Sequence, residues 1–139
     1  MTLHLIKLCV GVESVSELRA WQQLRMRQGA PPGCPRPPYH TTRMKPRRAA
    51  ELLDGGSLYW VIQGLTSVRQ RLDDIRPFVD AEGVARCHLV LDRRLVAVMP
   101  VPRRPFQGWR YLAAADAPPD CDVAAESGGL GEELSRLGL

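Results

Sequence analysis

The chain has 139 residues, 45% hydrophobic and 24% charged, and its 19 Lys plus Arg against 15 Asp plus Glu leave a net charge of +4. That size fits one domain burying roughly two thirds of its unfolded surface, and that composition excludes a wholly disordered chain. The apolar runs are far shorter than a membrane span, so no membrane partner is expected.

Charge is unevenly placed. Through Leu112 there are 18 basic and nine acidic residues, net +9, whereas from Ala113 onward there are one basic and six acidic, net −5. A basic body with an acidic tail points either to a polyanionic partner or to a tail that covers the same basic surface. Because 17 of the 19 basic residues are arginine, a merely solvated cationic surface stays open as a third reading. Cys9, Cys34, Cys87 and Cys121 are scattered with no close pair, which argues against a zinc ribbon or a redox motif and for reduced thiols. His4, His40 and His88 have no metal-ligand spacing, so neither a metal nor a cofactor is expected. The opening MTLHLIKLCVG carries a lysine inside its apolar run and lacks a small-residue cleavage site, which argues against a secretory signal and for the cytoplasm.

In chain order, Leu3 to Val10 alternates as a strand, with Leu3, Leu5 and Lys7 on one face and His4, Ile6 and Leu8 on the other. Two largely apolar faces predict a central position. Ser14 to Glu17 predicts a capping box, in which Ser14 accepts from the amide of residue 17 and Glu17 reaches back to the cap amide. The helix behind it puts Val15, Leu18 and Trp21 on one stripe, so Trp21 is expected in the core, and Gly29 ends the helix. Ala30 to Pro38 holds five prolines and can only be a loop. Tyr39 to Lys45 predicts a short strand, and Pro46 the first turn of a helix running to Leu53.

The stretch Glu51 to Gly64, ELLDGGSLYWVIQG, joins that helix end to a glycine turn and to the most apolar strand of the chain. Leu58, Trp60 and Ile62 share one face and Tyr59 and Val61 the other. The double glycine lacks the lysine of a phosphate loop and reads as a turn. Val68, Leu72 and Ile75 fit helical spacing, yet Asp80 to Gly83 looks like a hairpin turn before the alternating Val84 to Leu91. A bulged strand over the later part of Thr66 to Phe78 is therefore the preferred reading, with Cys87 a buried thiol. Past Asp92 to Arg94, Leu95 to Val98 predicts a strand that the following proline-rich run breaks. Trp109 and Tyr111, two apart, either complete the core from a closing strand or offer ring faces to a planar ligand. Leu130, Leu134 and Leu137 predict a short amphipathic terminal helix.

The strings LHLIKLCVG, ELLDGGSLYWVIQG, RQRLDDIRPF and RRPFQGWRYL resemble domain-of-unknown-function family 1489, small proteins found chiefly in alphaproteobacteria. The resemblance covers most of the chain to about Pro119 and carries no catalytic residue across. Element order and the aromatic, basic composition are more loosely similar to PUA-like barrels, including the ASCH and EVE relatives, whose members often bind RNA or recognise modified bases. An ASCH-type amidohydrolase would imply a threonine, a lysine and a glutamate acting together. Thr42, Lys45 and Glu51 lie near one another in the chain, but in an order and spacing that depart from that pattern.

The expected architecture is therefore α+β: a small curved, mostly antiparallel sheet, a pseudo-barrel if the PUA-like resemblance holds, with one longer N-terminal helix and short helices. Residues 1–119 are read as one domain and residues 120–139 as an acidic tail. The expected function is a nucleic-acid or nucleotide-binding module. Its candidate ligand-binding residues are Arg43, Arg47, Arg48, Arg69, Arg71, Arg104, Trp109 and Arg110, in which guanidinium groups meet phosphates and an indole stacks on a base. A small enzyme acting on a nucleotide-like substrate and a protein-interaction subunit are the alternatives. Oligomeric state is left open.

Overall fold

The computed structural model describes residues 2–36 and 38–121. Its elements are β1 (Leu3–Leu8), α1 (Val15–Gln28), β2 (Tyr39–Thr42), α2 (Ala49–Leu53), β3 (Ser57–Ile62), β4 (Leu65–Val79), β5 (Ala85–Leu91), β6 (Val96–Pro102) and β7 (Trp109–Ala113), followed by a 3-10 turn at Ala114–Asp116. The strands form one seven-stranded sheet in the order β2-β5-β4-β3-β1-β7, with β6 also paired to β4. Five pairings are antiparallel, and one, β1 with β3, is parallel. The α+β class with a mostly antiparallel, curved sheet is thus as the sequence reading expects. The terminal helix expected around Leu130, Leu134 and Leu137 lies outside the described residues.

Alternation decides the segment in which helix and strand compete. Thr66, Val68, Gln70 and Leu72 are each 1% exposed or less while Arg71 and Asp73 face solvent, a period of two that a helix cannot satisfy. Early in β4 the partners are β3 and β6; later the partner is β5, and the register shifts between Leu72 and Asp74. That bulge turns the long strand from one part of the sheet into the other. At the β3–β4 turn, Gln63 and Gly64 both have positive φ, 52° and 77°, as a two-residue turn matching strand twist requires.

The inner face of the sheet carries the main core: Leu3 and Leu5 of β1, Leu18 of α1, Leu52 of α2, Leu58, Trp60 and Ile62 of β3, and Leu72, Cys87 and Leu89 beyond them. On the outer face Ile6, Tyr59, Val61, Val98 and Leu112 form a smaller cluster against Leu8, Phe106 and Ala117. Central placement of β1, between β3 and β7, explains why both its faces are apolar. Gly56 lets α2 meet the sheet, since a Cβ there would sit 2.3 Å from the carbonyl oxygens of both Leu3 and Leu52.

Five local expectations are corrected. Trp21 is 48% exposed, because α1 turns Leu18 and Gln22 inward instead. Gln22 is needed there. Its amide exchanges two 2.9 Å hydrogen bonds with that of Gln70, whose Oε1 also accepts from the Trp60 indole. The helix expected from Pro46 begins only at Ala49, and the strand before it ends at Thr42. Ser14 caps α1 as predicted, but the Glu17 carboxylate accepts from the amide of Glu13 and not from that of Ser14. Lastly, β6 runs on through Pro102. It pairs with β4 on one side and bulges between Ala97 and Val101, the stretch that holds Pro100, while Pro102 at its end pairs opposite Leu65.

Candidate functional site

The two ends of the sheet path, β2 and β7, face each other across a cleft of about 340 Å³ lined by Lys7, Thr41, Thr42, Arg43, Met44, Gln107, Gly108 and Trp109. Two tertiary hydrogen bonds hold the ends together. Nε1 of Trp109 donates to the Met44 carbonyl at 2.8 Å, and the Arg48 amide donates to the Tyr111 hydroxyl at 3.1 Å. The Met44 carbonyl also accepts from the Thr42 hydroxyl at 3.1 Å, which fixes the turn leaving β2 and with it the position of Arg43. Tyr111 meets Trp109 edge to face, with ring centroids 5.0 Å apart.

Lys7 is the residue that sequence reasoning passed over. It continues the Leu3–Leu5 stripe, so its side chain leaves β1 on the inner face, between its cross-strand neighbours Trp60 and Trp109. A lysine in an otherwise apolar inward stripe was the available signal. Burial lowers its pKa from the ordinary lysine value. Nearby, burial first and then the Lys7 and Arg25 charges push His40 down to about 4, so its imidazole is neutral at physiological pH and sits edge-on to Trp60 at 5.3 Å. Among the described residues the lining includes two cations and no carboxylate.

The structure divides the other candidates. Arg43 and Trp109 line the cleft. Arg47 and Arg48 are exposed just past Met44, and the Arg48 guanidinium lies 5.7 Å from the Tyr111 ring centre while pairing with Glu51. Arg104 is exposed in the loop that leads to Gln107 and Gly108. The remaining three stand apart from this group. Arg69 and Arg71 pair opposite Tyr59 and Ser57, and Arg110 opposite Ile6, which is the register of the outer face. There the Arg69 guanidinium forms a two-pronged 2.7 Å ion pair with Asp120, and Arg110 covers Phe106 at 4.8 Å. Thr42 lines the cleft, while Lys45 and Glu51 are exposed and no contact joins the three.

A family model described as "Protein of unknown function (DUF1489)" matches residues 5–139. The chain belongs to that family. No curated protein and no solved structure matches it. Among the described residues no helix is long and apolar enough to cross a membrane.

Proposed function

We propose that this DUF1489 chain binds a nucleotide or an unpaired nucleic-acid strand, with the cleft between β2 and β7 taking a base and its phosphate. One observation carries the reading: Trp109, held in place by its bond to Met44, shares a cleft with Lys7 and Arg43, and among the described residues no carboxylate lines it. An indole fixed in this way stacks without first losing rotamer freedom, and a cation with no acidic partner nearby is available to a phosphate. Arg47 and Arg48 on the rim extend the positive charge along the path a strand would follow. The looser resemblance to PUA-like barrels supports the same class of ligand. A cytoplasmic setting belongs to the proposal and fits the four free cysteines.

Fluorescence anisotropy with a labelled single-stranded RNA tests it. Affinity should fall steeply from low to moderate salt, and Arg43→Ala should reduce the slope of log affinity against log salt by about one. Trp109→Ala should weaken binding by about tenfold, the order of one lost stacking contact, while Arg71→Ala on the outer face leaves it unchanged. Salt-independent affinity, or equal binding by the Trp109 variant, overturns the reading.

A further inference from the structure

We propose that Lys7 is a nucleophilic amine that condenses with a phosphorylated aldehyde or ketone held in the cleft, forming an imine. The phosphate part of this inference rests on the cleft reading above; the nucleophile part does not. Lys7 lines the cleft together with Thr41, Thr42 and Trp109, so a carbonyl entering there shares the space with the lysine side chain. Two tryptophans flank it across the strands. Among the described residues the ion pairs are Arg48–Glu51, Arg69–Asp120, Arg76–Asp74 and Arg86–Asp80, so none holds Lys7 as an ammonium.

Among the described residues the Cys9 thiol is the neighbour whose charge would raise the Lys7 pKa, an effect that burial of Lys7 outweighs. Burial pushes the Cys9 thiol up to about 11, which keeps it protonated, and His40 is neutral. A desolvated amine without a carboxylate partner has a larger neutral fraction than a surface lysine, and the neutral form is the nucleophile. Arg43, whose planar guanidinium matches phosphate oxygens two at a time, is the lining group suited to the phosphate.

The step balances without an oxidant or reductant. The Nζ lone pair forms the C–N bond as the carbonyl π pair moves to oxygen, and a proton passes from nitrogen to that oxygen to give a carbinolamine. Loss of the hydroxyl together with the remaining nitrogen proton releases one water and leaves the imine.

The chain itself contains the control, because its other lysine is Lys45, which is exposed. Pyridoxal 5′-phosphate and pyridoxal serve as probes at neutral pH. Borohydride converts any imine to a stable secondary amine, and peptide mass spectrometry compares Lys7 with Lys45. With the phosphorylated probe Lys7, half-buried in the cleft, should be modified faster than the exposed Lys45. It should react more slowly with pyridoxal, and excess adenosine monophosphate should protect Lys7 but not Lys45. Lys7→Arg should abolish the fast labelling and leave the Lys45 rate unchanged. Lys7 reacting no faster than Lys45 with both probes overturns the nucleophile, whatever the RNA titration shows. Equal rates of Lys7 with both probes, still ahead of Lys45, overturn the phosphorylated substrate class.

Discussion

Gln70 is buried and fully paired: its Oε1 accepts from Gln22 and Trp60, and its Nε2 donates to Gln22 and to the Asp92 carbonyl. One side chain thus joins α1, β3 and the β5–β6 turn. Gln70→Leu keeps the volume but orphans the Gln22 amide and the Trp60 indole, so it should destabilise by about 2–4 kcal/mol, given a cost of roughly 1–3 kcal/mol per buried unsatisfied group. Gln22→Leu removes less and should cost less. Urea unfolding of the two variants gives the order, and equal loss would contradict the central place of Gln70. This network was illegible in the sequence, because Gln22 and Gln70 are 48 residues apart and only the fold shows which glutamines meet. It also accounts for Trp21. A polar pair on the inward stripe of α1 rotates the helix, and the tryptophan that spacing placed inside lies on the surface beneath the Arg25 guanidinium at 4.8 Å.

At the scale of elements, β6 shows how an edge is managed. Its free side is met by residues 119–121: Met99 donates to the Pro119 carbonyl at 2.9 Å and Cys121 to that of Ala97 at 2.8 Å. Arg69 locks this strap through Asp120, and it also donates to the buried Ser57 hydroxyl at 3.1 Å. Because the pair is two-pronged yet partly exposed, Asp120→Ala should cost about 1 kcal/mol, less at high salt. Amide hydrogen exchange should rise at Met99 and Cys121, while β1 and β3 stay protected. Uniform protection after the change would show that the backbone bonds alone hold the strap. Most elements were legible here, since β1 and β5 alternate and β3 is the most apolar run of the chain, while β4 was preferred as a strand only on the hairpin turn that follows it. The end of β6 was not, as whether a proline breaks a strand depends on whether its missing amide faces a neighbour.

For the molecule as a whole, three histidines set the acid limb of stability. Burial is the first cause lowering the pKa of His4, His40 and His88, with neighbouring cations adding to it in each case, Arg69 for His4, Lys7 and then Arg25 for His40, and Arg76 for His88. A folded-state pKa below the ordinary 6.5 means that the unfolded chain takes up protons first as pH falls. Stability from these groups is therefore complete above about pH 6.5 and lost below it, for His40 down to about 4. Asp74, Asp80 and Asp120, each held below the ordinary carboxylate value of 3.8 chiefly by an arginine partner, contribute only to losses at still lower pH. The urea midpoint should fall steadily from pH 6.5 to 4, with a shallower fall in His40→Gln. A flat profile over that range would contradict the burial of the imidazoles.

Local pattern alone determined the α+β class, the glycine turn before β3 and the excess of positive charge, because each depends on neighbours within a few residues, whereas it left β4 open between strand and helix. Only the tertiary structure decided which cations belong together. Alternation along β4 and β7 sends Arg69, Arg71 and Arg110 to the outer face, while the curvature that brings β2 to β7 gathers Lys7, Arg43 and Trp109 at one cleft. A sequence specifies which side of its own strand a residue takes. Which distant strand closes over that side follows from packing the whole sheet.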